Sequence, residues 1–106
     1  MITVSVRRSG DNISGFTVAG HAGYADKGDD IVCAAVSILA INTVNSIEKL
    51  TGSVPVIDES DGFLDVTVPD PAEKGVKLLL DSFLLGIEGI VEEYGNKFVK
   101  FSLTDA

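Results

Sequence analysis

The chain of 106 residues is 45% hydrophobic and carries 16 acidic and 8 basic side chains, for a net charge of −8. This length and composition fit one domain, spanning residues 1–106, with a packed core. The negative charge argues against a nucleic-acid partner, because phosphates would be repelled, and it favours either a basic partner or solubility alone.

The sequence also bears on the cellular compartment. A single cysteine excludes an intramolecular disulfide framework. No signal peptide is expected, because Arg7 and Arg8 are followed by polar residues. The most apolar later stretch is expected from Val76 to Ile87, which is interrupted by charged residues and is too short to span a bilayer. We therefore expect a soluble cytoplasmic protein with no membrane partner.

The chain opens with the pattern of a β-hairpin. Ile2, Val4 and Val6 alternate with polar residues, which is typical of a half-buried strand. A second strand is predicted from about Ile13 to Ala19. Between them, Ser9 to Asn12 reads Ser-Gly-Asp-Asn, a combination that favours a turn.

A glycine-rich loop and then a helix from about Asp30 to Leu50 are predicted next. Asp29 or Asp30 is suited to cap the helix, since a short carboxylate accepts the free N–H groups of the first turn. Gly52 is a plausible stop. Most positions of this helix are apolar or small, which predicts burial on more than one side. The second covered side would be either another part of the domain or a subunit interface.

The second half of the chain repeats the order of two strands and a helix. Strands are predicted at Val54 to Asp58 and Phe63 to Val68, joined by the hairpin signal Asp61-Gly62. A helix from about Pro71 to Tyr94 and a last strand from Lys97 to Leu103 follow. The resulting ββαββαβ order predicts an α+β fold, with a mainly antiparallel sheet and two helices packed on it.

The single His and the single Cys, His21 and Cys33, lie close together in the sequence. Cys33 is expected in the first turn of the first helix, where free N–H groups and the helix dipole favour the reactive thiolate. A neighbouring imidazole would favour it further by holding the proton. The backbone N–H groups of Cys33 and Ala34 are candidate donors to a developing oxyanion. Together these groups suit acyl transfer by a cysteine.

Three glycines, Gly20, Gly23 and Gly28, are expected to make the loop flexible enough to fold back over the helix end. Such a loop would bring His21 to Cys33. A metal site lacks any ligand-spacing signature here, so neither a metal ion nor another cofactor is expected.

Several polar residues are candidates to support the pair. Asp26, Asp29 and Asp30 would orient the imidazole, although loop solvation or helix capping explains them equally well. Ser37, one turn beyond Cys33, would hydrogen-bond near the site or bond back to the helix.

The alternative to catalysis is a structural role for both residues. A lone Cys in a helix rich in Ala and Val is often a small buried hydrophobe, and a lone His in a loop is often solvated. Under that interpretation, the chain is a non-enzymatic acidic adaptor that binds a basic ribosomal or other protein.

The segment around His21 and Cys33 resembles the bacterial ribosomal-processing cysteine proteases of the Prp family. Their shared pattern is Gly-His-Ala, followed by Gly-x-Asp-Ile-Val-Cys-Ala and a nearby Ser. The matching residues here are Gly20 to Ala22, Gly28 to Ala34, and Ser37. Chain length, element order and an acidic second helix also agree with the family.

The resemblance implies that Cys33 is the nucleophile and that His21 is the base that later acts as an acid. It also implies a substrate, the N-terminal extension of ribosomal protein twenty-seven of the large subunit, cut after an aromatic residue. A homodimer is implied as well. We further expect residues 21–29 to become ordered only around substrate, which would protect the cell from an always active thiol protease.

Overall fold

Five strands and two helices follow one another in the predicted ββαββαβ order. The computed structural model describes residues 1–20 and 27–105, and of residues 27–30 it describes only the backbone. The strands are β1 (Ile2–Ser9), β2 (Asn12–Ala19), β3 (Val56–Ser60), β4 (Phe63–Thr67) and β5 (Val99–Asp105). The helices are α1 (Lys27–Ser46), continued by a π-helical turn at Ile47–Thr51, and α2 (Lys74–Tyr94).

The strands form one sheet in the order β3-β4-β2-β1-β5. The β1–β2, β2–β4 and β3–β4 pairs are antiparallel, whereas β5 returns after α2 to lie parallel to β1, with Val99 opposite Ile2. The predicted α+β class with a mainly antiparallel sheet is thus confirmed.

Both helices cover the same face of the sheet. Alternation along β1 directs Ile2, Val4 and Val6 to this face, where all three are buried. On β2, Phe16 stacks on Phe83 of α2, with the ring centroids 4.1 Å apart. The core is completed by Val32 and Val36 of α1, Val66 of β4, and Leu80 and Ile87 of α2.

The opposite face of the sheet carries a polar network centred on Arg7. Its guanidinium lies 2.9 Å from the carboxylate of Asp65 on β4 and donates hydrogen bonds of 2.8 Å to the Thr17 hydroxyl and to the Val66 carbonyl. Gly15 lies beneath it, and a Cβ there would come within 2.5 Å of the guanidinium. Arg7 therefore ties β4 to the centre of the sheet across β2.

The start of α1 differs from the prediction. The helix begins at Lys27 rather than at Asp30, so Asp29 and Asp30 lie within its first turn instead of capping it, and Gly28 belongs to the helix rather than to a flexible loop. Carboxylates are favourable throughout the first turn, because the positive end of the helix dipole lies there. The same acidic pair is therefore compatible with either start.

The start of α2, in contrast, was predicted too early. Pro71 precedes the helix, and Glu73 is the N-cap, with its carboxylate accepting a 2.8 Å hydrogen bond from the Val76 N–H. A proline is compatible with the first turn of a helix but does not fix its start. A capping carboxylate satisfies a free N–H group and so determines where the helix begins.

The predicted turns and helix stops are confirmed. Ser60 pairs with Phe63 across a two-residue turn at Asp61-Gly62, and Gly62 has a φ of +71°, which favours glycine. Gly52 ends the π-helical turn after α1, and Gly95 ends α2.

Within the described residues, the segment Ile31–Thr51 is the one helix long and apolar enough to cross a membrane, with a mean hydropathy of 1.6. The expectation that Val76 to Ile87 is the most apolar later stretch was therefore wrong. Val32, Val36 and Ile47 of this segment are buried in the core, as expected for the central helix of a folded domain, which satisfies the same criteria of length and composition.

Candidate active site

A cleft of about 500 Å³ opens between α1 and the β3–β4 hairpin. Each neighbouring element contributes to its lining. The lining residues are Cys33, Ser37, Ala40 and Ile41 from α1, residues 59–64 from the hairpin, and Val18 and Gly20 from the end of β2.

Cys33 is half-buried in this lining and packs against the core. It differs from a core cysteine because it borders an open cleft, where a substrate can reach it. The neighbouring residues Val32 and Val36 are fully buried, which holds this part of α1 against the sheet.

The prediction that Cys33 lies in the first turn was wrong, because α1 starts at Lys27 and Cys33 lies in its second turn. Beyond the first four residues of a helix, each N–H bonds to the carbonyl four residues earlier. The N–H groups of Cys33 and Ala34 are therefore engaged and do not serve as free oxyanion donors in this conformation. The effect of the helix dipole also fades after the first turn, so the helix start favours a reactive cysteine less than the sequence predicted.

The structure brings Ser37 and Cys33 together in the cleft, and Ala34 is exposed on α1. Elsewhere in α1, Thr43 donates a 2.7 Å hydrogen bond to the Leu39 carbonyl. Among the described residues, the Ser37 hydroxyl makes no such bond back to its helix. Its hydroxyl is therefore available to a group that enters the cleft.

Gly20 connects the end of β2 to the cleft. Its N–H donates a 2.9 Å hydrogen bond to the Gly62 carbonyl in the β3–β4 turn. Its φ is +114°, and a Cβ there would collide with the Met1 carbonyl, so only glycine fits. The segment that carries His21 thus departs from a residue in the cleft lining and rejoins the fold at α1, the helix that carries Cys33.

His21, Gly23 and Asp26 lie outside the described residues, as do the carboxylates of Asp29 and Asp30. The juxtaposition of His21 with Cys33, and the expected ordering of residues 21–29 around substrate, stay predictions.

The hairpin wall of the cleft was not identified from the sequence. Its carboxylates are those of Glu59 and Asp61, and its apolar side chain is that of Leu64. Phe63 borders the cleft as well, but its place in the register puts its side chain on the other face of β4, with Asp65 and Thr67. The Asp61-Gly62 turn was a clear signal for the hairpin, but its position beside α1 depends on the order of strands in the sheet. Among the described residues, no group of three or more His, Cys, Asp or Glu side chains could hold a metal ion.

Known proteins resemble this chain in both sequence and fold. The family model of the cysteine protease Prp matches residues 1–99. The ribosomal processing cysteine protease Prp of Bacillus subtilis (strain 168) is 35% identical over 101 residues, which cover 89% of this chain and 90% of that protein.

Two crystal structures of an essential ribosomal processing protease Prp from S. aureus superpose closely. The complex with a substrate peptide has a TM-score of 0.90 and 29% identity, and the complex with a covalently linked product peptide has a TM-score of 0.87 and 30% identity. Each comparison covers 98% of this chain and 100% of the other. Since family model, sequence and fold agree over nearly its whole length, this chain belongs to the Prp family of cysteine proteases.

Proposed function

We propose that this protease removes the N-terminal extension of ribosomal protein twenty-seven of the large subunit, with Cys33 as nucleophile and His21 as base. The observation that carries the proposal is the single cysteine. A cysteine protease requires a thiol, this chain has one, and that thiol borders the cleft. The relatives named as ribosomal processing proteases support the substrate class.

The proposed reaction is acyl transfer in two steps. The imidazole of His21 takes the Cys33 proton, and Sγ attacks the carbonyl carbon of the cut bond. The amine leaves with the proton returned by His21, and the acyl group remains on sulfur as a thioester. Water, deprotonated by His21, then releases the product acid and the free thiol. The covalently linked product peptide in the S. aureus relative supports a covalent route.

Two neighbouring polar residues are assigned supporting roles. The Ser37 hydroxyl would donate a hydrogen bond to the peptide in the cleft, because no described residue engages it. Asp30 would orient the imidazole of His21. Ala34, next to the nucleophile, offers no side chain that would obstruct the incoming peptide.

The cleft suits a basic segment with an aromatic residue. The aliphatic side chains of Leu64 and Ile41 would contact an aromatic ring. The carboxylates of Glu59 and Asp61 would attract basic groups, and the net charge of −8 would steer a basic protein toward the enzyme. Nothing in the structure favours the adaptor alternative, since the thiol is accessible in a cleft and the family is one of proteases.

We also propose that the enzyme is a cytoplasmic homodimer. Ile31 and Ile38 lie seven residues apart on α1 and therefore on the same side of the helix, and they are 53% and 68% exposed. Apolar side chains exposed two turns apart on an already apolar helix favour contact with a second copy. The cytoplasm is where a ribosomal protein would meet its processing enzyme.

Incubation of the enzyme with the extended ribosomal protein tests the proposed substrate. We expect mass spectrometry to find two products from one cut, directly after an aromatic residue of the extension. A matched substrate with glycine in place of that residue should stay intact, because it cannot fill the apolar part of the cleft. An uncut parent protein, or equal cleavage of both substrates, would contradict the proposal.

Replacement of the two proposed catalytic residues should remove activity without unfolding the protein. Cys33→Ala should abolish cleavage, and His21→Ala should lower kcat/KM by about 100- to 10,000-fold, as expected for a lost acid–base group. Steady-state kinetics on the extension peptide measures both, with circular dichroism to verify folding. Ser102→Ala, at an exposed position on β5, serves as the control with normal activity. Full activity of Cys33→Ala would refute the assignment.

The homodimer is tested by placing a charge on the exposed side of α1. We expect Ile38→Glu to convert the dimer to a monomer, because burying an unpaired carboxylate is costly. Light scattering coupled to size-exclusion chromatography gives the mass. Val54→Glu, at a position 63% exposed in the segment before β3, is the control and should stay dimeric. A monomeric parent protein, or an unchanged dimer for Ile38→Glu, would count against the proposal.

A further inference from the structure

A second, smaller hollow of about 140 Å³ adjoins the cleft at Cys33. It lies between α1 and β3, farther along the helix. Its lining residues are Ile41, Val44, Asn45, Ile57, Glu59 and Leu64. Ile41, Glu59 and Leu64 line the larger cleft as well, so the two spaces adjoin. The cleft and the hollow together are the groove between α1 and the hairpin.

The sheet register explains why this hollow is apolar and open. Ile57 pairs with the core residue Val66, so both side chains lie on the face that the helices cover. However, β3 is the edge strand, and at this edge Ile57 stays 45% exposed. Across the groove, Ile41 of α1 is 52% exposed. The hollow therefore presents aliphatic side chains that nothing in the described part of the chain covers.

The size of the hollow suits one side chain rather than a whole ligand. Pockets for drug-sized molecules have volumes of about 300–1,000 Å³, well above the 140 Å³ found here. Its aliphatic walls favour a branched aliphatic group, and the carboxylate of Glu59 on the border disfavours an acidic one.

The distance from Cys33 to the hollow determines which residue of a bound peptide would place its side chain there, counted from the cut bond. Ile41 is eight residues beyond Cys33 on α1, which corresponds to roughly 12 Å at about 1.5 Å per residue. An extended peptide covers this distance in about four residues, at roughly 3.3 Å each.

We propose that the hollow is a specificity subsite of the protease, which holds an aliphatic side chain of the substrate three to five residues from the cut bond. This inference rests on the proposed function of the same cleft. The substrate peptide is the occupant, because the hollow adjoins the space that borders the nucleophile and shares three of its lining residues. A peptide lying on Cys33 and running along α1 reaches it without leaving the groove.

The test compares Ile57→Ser with Val56→Ser. Both residues lie on β3 and are exposed, Ile57 at 45% and Val56 at 66%, but Val56 pairs with Thr67 and faces away from the groove. Peptides of the extension are prepared in which each residue three to five positions from the cut bond is replaced in turn by alanine. The value of kcat/KM is measured for every pair of enzyme and peptide.

In the parent enzyme, we expect one alanine replacement to lower kcat/KM by about tenfold, the usual effect of a lost aliphatic contact in a pocket. Ile57→Ser should lower kcat/KM for the unmodified peptide to a similar extent. In this variant, the same alanine replacement in the peptide should cause no further decrease in kcat/KM. Val56→Ser should behave as the parent enzyme does.

Three results would overturn the inference. In the first, the fold losses in kcat/KM from Ile57→Ser and from the alanine replacement multiply, which shows that the two side chains do not contact each other. In the second, Val56→Ser has the same effect as Ile57→Ser. In the third, Ile57→Ser lowers cleavage of all peptides equally and changes the mass in solution, which identifies the hollow as a contact between copies of the chain. A parent enzyme that cuts none of the peptides would instead refute the proposed function, on which the inference depends.

Discussion

The attachment of the β3–β4 hairpin beside α1 is the constraint on which the site depends. Without it, Cys33 would lie on an open helix surface rather than in a cleft. The β2–β4 pairing attaches the hairpin to the sheet, and two further contacts reinforce it: Arg7 binds Asp65 and the Val66 carbonyl on β4, and the Gly20 N–H binds the Gly62 carbonyl at the turn. The first contact lies on the polar face of the sheet, directly behind the cleft wall. The second joins the wall to Gly20, the residue that precedes His21 in the chain.

The two proposed catalytic residues, Cys33 and His21, belong to different parts of the chain. Cys33 belongs to a helix whose neighbouring residues Val32 and Val36 are fully buried, which limits its movement. His21 belongs to the segment between Gly20 and α1. Because the N–H of Cys33 lies beyond the first turn of α1 and is engaged in the helix, the imidazole becomes more important for forming the thiolate than the helix dipole.

Local signals in the sequence were sufficient to predict the order of the elements. Asp61-Gly62 has the residue types that a two-residue turn requires, and Gly52 and Gly95 end the helical segments where the periodicity stops. Helix starts were less predictable, because Asp29 and Asp30 fit either a cap or a first turn. The cleft wall and the hollow at Ile57 were not predictable. They depend on the pairing of β4 with β2, which is distant in the sequence and is specified by no local pattern.

The central claim is that the groove between α1 and the β3–β4 hairpin holds the substrate with its cut bond at Cys33. A crystal structure of Cys33→Ala with an uncut extension peptide tests this most directly. We expect the peptide to lie extended in the groove, with the carbonyl carbon of the cut bond beside the Cβ of residue 33. The His21 imidazole should lie on the opposite side of that bond. A peptide bound on the polar face of the sheet, or one whose aromatic residue lies away from Ile41 and Leu64, would contradict it.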